Sequence, residues 1–290
     1  MTVGVQRWAL GVEYDGRAFH GYQVQANRPD TVQQVLERAL AQVANHPVRL
    51  ACAGRTDAGV HATCQVVHFD SMARRDARAW VRGGNSLAPD AVTVRWAVPV
   101  EQTFHARFSA RARRYLYVLS EQSVRSAIGH GLLTTRSKVV DADRMHEAAQ
   151  RLLGEHDFTS FRGAGCQARS AVRTLHRLAV RRRGPLVLFD VEANAFLLHM
   201  VRNLVGSLLM VGEGAQPTCW PAELLAVRDR RVAGPTAPPS GLYLTGVRYD
   251  RDYGFDSGVR WPWFLDPAAL SVELAPRAAA MALGAAGDSP

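Results

Sequence analysis

A chain of 290 residues, 47% hydrophobic and 21% charged, has the material for one large or two ordinary globular domains, which excludes a disordered or low-complexity protein. No apolar run reaches the length of a bilayer span, since residues 196–211 are interrupted by His199, Arg202 and Asn203, and the start lacks a basic-then-apolar signal; the expected site is the cytoplasm. The net charge of +9 suits a polyanionic partner such as RNA, but 34 of the 35 basic residues are arginine and only Lys138 is lysine, a skew that a GC-rich genome explains, so the sign of the charge carries the inference.

In chain order, residues 5–14 read as a first strand, ended by the turn pair Asp15-Gly16. A loop follows, and then a helix opening at Thr31, where Thr31 and Gln34 form a capping-box pattern and Val32, Val35, Leu36, Ala39, Leu40 and Val43 recur on one face. Asn45 and Pro47 end it. Strands are expected at about 48–53 and 63–70, a second helix at 76–85 whose end Gly83-Gly84 weakens, and a strand at 92–98. The order is β-α-β-β-α-β, the split arrangement of ferredoxin-like domains. Residues 99–112 form a connector rich in arginine; such a basic run is commonly just a solvated face.

The second half repeats that order. A strand at 114–119 leads to a helix capped by Asp141, with Met145, Ala148, Ala149, Leu152 and Leu153 on one face. Strands at about 171–181 and 186–193, a helix over 196–211, a short helix over 221–228 and a final strand at 242–249 complete it. The expected fold is therefore α/β (α+β): two ferredoxin-like-type domains in tandem, 1–106 and 107–265, with sheets meeting at a central cleft. Residues 266–290, rich in alanine and proline, read as a mobile tail. Cys52, Cys64, Cys166 and Cys219 show no C-x-x-C pairing and no histidine at zinc spacing, so no metal site and reduced thiols are expected.

The stretch with most chemistry is AGRTDAGVHA, residues 53–62, followed by QVVHF. Two β-prone segments flank a small-residue loop, which presents its one carboxylate, Asp57, on a bend, and Gly54 and Gly59 leave room for a bulky ligand there. Arg55 points to the same side if the chain is extended, so an acid and a base can share one pocket. A plain hairpin with a turn aspartate is the competing explanation from spacing alone.

These residues resemble the signature of the tRNA pseudouridine synthase I (TruA-type) family, whose aspartate is catalytic. YDGRAFHGYQVQ resembles the family's opening motif, and RRYLYVL, FLLHMVRNLVGSLLMVGEG and PSGLYLTGVRY resemble its downstream motifs, so with HDFTSFR the likeness runs through residues 5–250. The resemblance implies the pseudouridine synthase fold and a cofactor-free isomerisation of uridine to pseudouridine at positions 38–40 of the tRNA anticodon stem-loop. It further implies Asp57 as catalyst, Tyr115 as the active-site tyrosine, Arg202 as the basic partner of Asp57, Leu242 as an aliphatic lining of the uracil pocket, and a homodimer.

Each assignment has a physical side. Arg202 among Leu204, Val205 and Leu208 is awkward as a purely exposed residue, so an acidic group should meet it. Tyr115 offers a face on which an extruded base stacks, yet period-2 geometry puts Tyr117 on the same face, and pattern alone leaves both open. Arg55 is suited to entering the base stack or holding phosphate during nucleotide flipping. Leu242, without the resemblance, is a core residue. A non-catalytic RNA-binding protein lacks support because the RRM aromatic pattern is absent, and a glycoside hydrolase needs two carboxylates where the central motif supplies one.

Overall fold

The computed structural model describes residues 4–28, 30–255 and 258–265. The expected tail, 266–290, lies outside the described residues. The first strand, β1 (Gln6–Tyr14), is apolar through its middle because it is flanked on both sides, antiparallel to β3 (His61–Ser71) and to β4 (Val92–Val100). Helix α1 (Val32–Ala44) starts where Thr31 Oγ1 accepts from the Gln34 amide and stops at Asn45 in the left-handed region. Its buried stripe is Val32, Leu36, Ala39, Leu40 and Val43. Helix α2 (Ala77–Leu87) is capped by Asp76. Gly83 and Gly84 lie inside α2, which continues past them to Leu87. A Cβ on Gly83 would stand 2.6 Å from Val43 of α1, and one on Gly84 would stand 3.1 Å from Val94 of β4, so these glycines allow close packing.

The second half follows the same plan. Strand β5 (Ala112–Glu121) lies between β9 (Leu186–Ala193) and β10 (Leu242–Arg248), and β8 (Val172–Arg183) pairs with β9 on the other side. Two short strands, β6 (Thr134–Arg136) on β5 and β7 (Gly154–Asp157) on β8, add to the edges. Helix α3 (Ala142–Gln150), capped by Asp141, packs on β8, while α4 (Met200–Gly212) and α5 (Trp220–Val227) follow β9. The order β10-β5-β9-β8 in this half matches β4-β1-β3-β2 in the first, where β2 is Ala51–Cys52. Both halves are thus β-α-β-β-α-β units, as the spacing of their hydrophobic segments predicts.

The two sheets are fused into one. One edge of β3 is divided: β2 takes it at Val67 and His68, and β10 takes it, in parallel, at His61 and Ala62. The division exists because β2 is only two residues long, where a strand over 48–53 is expected. The Leu50 amide is captured by Glu37 Oε1 at 2.9 Å, and both backbone groups of Gly54 are taken by the Gln65 side chain, so neither residue extends the ladder. The chain therefore leaves the sheet at residue 53, directly beside the place where β10 enters it. Helices of both halves share one hydrophobic core with one face of this sheet; on the other face, Leu116, Val118, Leu188 and Tyr243 pack with Leu265.

Candidate active site at the seam

The loop that leaves β2 is fixed from beneath by buried side chains. Gln65 Nε2 donates to Gly54 O at 2.6 Å while its Oε1 accepts from Gly54 N at 3.3 Å. Arg113, two residues before Tyr115, donates to Ala53 O through Nε at 3.1 Å and Nη2 at 3.0 Å. Tyr14 Oη and Thr56 Oγ1 share a hydrogen bond of 2.8 Å, and the Tyr22 amide donates to Thr56 O at 3.0 Å. Gly59, at φ +77°, closes the turn against Pro239, which a Cβ there would approach to 3.2 Å. Asp57, next after the anchored Thr56, projects from this loop with 27% of its side chain exposed.

Arg202 comes to meet it from the first turn of α4. Its Nη1 donates to Asp57 Oδ2 at 3.0 Å, and its Nε donates to Ala237 O at 2.7 Å, so the guanidinium is held at both ends. The pairing satisfies the expectation that this arginine meets a carboxylate. Helix α4 begins at Met200 and not at 196, because His199 is in the left-handed region (φ 59°, ψ 6°) and the backbone before it cannot continue the helix. The sequence reading missed His199 as a site residue. Its Nε2 lies 3.4 Å from the same Asp57 Oδ2. The available signal was its place as a titratable residue three positions before Arg202 in an otherwise apolar run.

Tyr115 and Tyr117 do share a face of β5, and their hydroxyls separate them. The Tyr117 hydroxyl is bonded to Thr134 Oγ1 at 2.7 Å and to Pro238 O at 3.1 Å. The Tyr115 hydroxyl has no such anchor among the described residues, and it lies under the loop, 3.5 Å from where a Cβ on Gly54 would be. Phe196 meets the Tyr115 ring edge-on at 5.1 Å. Burial raises the Tyr115 pKa above that of an ordinary phenol; Arg113 pulls it back and Asp57 pushes it further up, which keeps the hydroxyl a neutral donor. Leu242, buried opposite Tyr117, follows the Pro239 turn that touches Gly59. Arg55 is exposed and does not pair with Asp57; no hydrogen bond or ion pair holds its side chain among the described residues. Asp57, Arg202, His199 and Tyr115 thus converge, Leu242 sits in the sheet nearby, and Arg55 stands at the rim.

Comparison with known proteins gives this seam its context. Residues 11–109 and 148–250 match the family described as tRNA pseudouridine synthase. A tRNA pseudouridine synthase A of Aeromonas hydrophila subsp. hydrophila is 51% identical over 263 residues, covering 91% of this chain and 97% of its own. The chain belongs to the tRNA pseudouridine synthase family. Further members of that family, from Xanthomonas euvesicatoria pv. vesicatoria and Shewanella sp., are 54% and 53% identical over 85% and 89% of this chain, covering 96% and 99% of theirs. The two fused β-α-β-β-α-β units are accordingly a pseudouridine synthase fold. Among the described residues no helix is long and apolar enough to cross a membrane.

Proposed function

We propose that this protein is a cytoplasmic tRNA pseudouridine synthase that isomerises uridines 38–40 of the anticodon stem-loop, with Asp57 as its catalytic group. The reaction breaks the bond from ribose C1′ to uracil N1, turns the base and joins C1′ to C5, moving one proton from C5 to N1. A carboxylate at C1′ serves this chemistry by stabilising, attacking or deprotonating the sugar. The observation that carries the reading is a single carboxylate, oriented by Arg202, above a buried tyrosine in a chain of this family. In this reading Tyr115 stacks on the flipped uracil, Leu242 lines its pocket, and Arg55 enters the space the base vacates. Arg55 and Arg107, both exposed and both near enough to Cys52 to act on its thiol, have no carboxylate partner among the described residues, which suits them to phosphates.

Tritium release from C5-labelled uridine in tRNA tests the reading: Asp57→Asn should lower the rate by at least about a thousandfold, and a rate within tenfold of the parent removes Asp57 from its role. In the same reading units 1–106 and 107–265 each supply one wall of the cleft. A homodimer supplies the further surface needed to hold the distant body of the tRNA. Light scattering that gives one chain's mass at every dilution, with full activity, excludes that assembly.

A further inference from the structure

Taking Asp57 as the catalytic group, as proposed above, we infer that His199 is a positioning residue. Together with Arg202 it holds Oδ2 of the carboxylate and leaves Oδ1 as the oxygen turned toward the ribose. Arg202 Nη1 and His199 Nε2 approach the same atom, at 3.0 and 3.4 Å. No hydrogen bond reaches Oδ1 from the described residues, while Oδ2 accepts from Arg202. A carboxylate oxygen with two cationic or N–H donors has its lone pairs engaged, whereas its free twin keeps them for an electron-poor carbon or a proton.

The backbone makes the placement of His199 a costly one. A residue with a Cβ rarely adopts φ 59°, and His199 makes no side-chain cap bond to α4, so neither helix capping nor backbone preference accounts for it. What the strained conformation achieves is to carry the imidazole over Asp57. A separate element supports the ring from the far side: Gly163 N donates to Leu198 O at 2.8 Å, and a Cβ on Gly163 would stand 2.9 Å from His199 Nδ1. The ring is 35% exposed, so it borders open space beside the carboxylate. Its 3.4 Å separation from Oδ2 exceeds a formed hydrogen bond, and such contacts tighten when substrate closes the site.

Two variants with the same backbone preference isolate the side chain. Glycine takes the left-handed conformation freely, and asparagine tolerates it while placing its N–H where imidazole Nδ1 stands, short of the Nε2 position that faces Oδ2. Single-turnover pseudouridine formation at saturating tRNA should fall about tenfold or more in His199→Gly, with tRNA affinity within about twofold and the melting temperature not lowered. His199→Asn, whose amide does not reach Oδ2, should stay within about threefold of the His199→Gly rate. A parental rate in His199→Gly or in His199→Asn overturns the assignment. Asp57→Asn measured alongside distinguishes the two levels: an active Asp57→Asn removes the catalytic role itself, whereas an inactive one beside a fully active His199→Gly removes only the role of His199.

Discussion

Asp57 and Arg202 lie 145 positions apart, and each is held by groups of other segments besides its partner. The guanidinium is fixed by Ala237 O and the loop by Gln65, Arg113 and Tyr14, so little side-chain entropy remains to be lost when a substrate arrives. Replacing Arg202 by methionine keeps the length and removes both donations, leaving Ala237 O and Asp57 Oδ2 without that partner. Arg202→Met should therefore lower kcat by about a hundredfold while tRNA binding changes little; normal turnover in that variant would separate the arginine from the chemistry. The same scale distinguishes the two tyrosine hydroxyls. Tyr117 has a hydroxyl committed to Thr134 and Pro238, and burial pushes its pKa up to about 12, while the Tyr115 hydroxyl stays uncommitted beneath the loop.

Helix α4 transmits position from the core to the site, and its glycine shows how tightly. A Cβ on Gly206 would stand 1.7 Å from Pro235 O, in the segment whose Ala237 accepts from Arg202 and donates back to its carbonyl. Gly206→Ala must push that segment away, costing about 1–3 kcal/mol of stability and moving the carbonyl that orients Arg202. A denaturant midpoint and a turnover rate both at parental values would show that the segment gives way freely. Elements with local signals were legible from sequence: Thr31 and Asp141 each cap the helix they were assigned to, and Asp76, expected as the first residue of its helix, caps it, because a cap is decided within three or four residues. The short β2, the start of α4 and the role of His199 were not, since each depends on partners distant in sequence: Glu37 and Gln65 for β2, and Asp57 and Gly163 for His199. Asp57, Arg55, Tyr115, Arg202 and Leu242 were singled out through family likeness more than through spacing, which left Tyr115 and Tyr117 equivalent.

At the level of the whole molecule, the halves are joined by the β3–β10 seam and by the connector after β4, and the connector is held to the first half by a histidine. Ala106 N donates to His68 Nδ1 at 3.2 Å, and the His68 ring meets His105 at 4.6 Å and Phe104 at 5.9 Å. Accepting that bond requires Nδ1 without a proton. Burial, reinforced by the neighbouring charges of His105 and Arg7 and only partly opposed by Asp70, lowers the His68 pKa to about 4. In the unfolded chain the ring titrates at its ordinary value of about 6.5, so between these values the unfolded state binds more protons than the folded one. Stability from this group is therefore complete above about pH 6.5 and is lost as the pH falls toward 4, by up to about 3 kcal/mol. His61 and His105, also lowered chiefly by burial, add slope of the same sign. Unfolding free energy measured in urea from pH 7 to pH 4 should fall steeply in the parent and less steeply in His68→Gln, which cannot take up the proton. The carboxylates lowered by arginine partners, such as Asp70 beside Arg7, add slope only below about pH 5 and do so in both proteins, so the difference between the two slopes reports the histidine. Equal slopes would mean that His68 is protonated in the folded protein and that the connector is held without it.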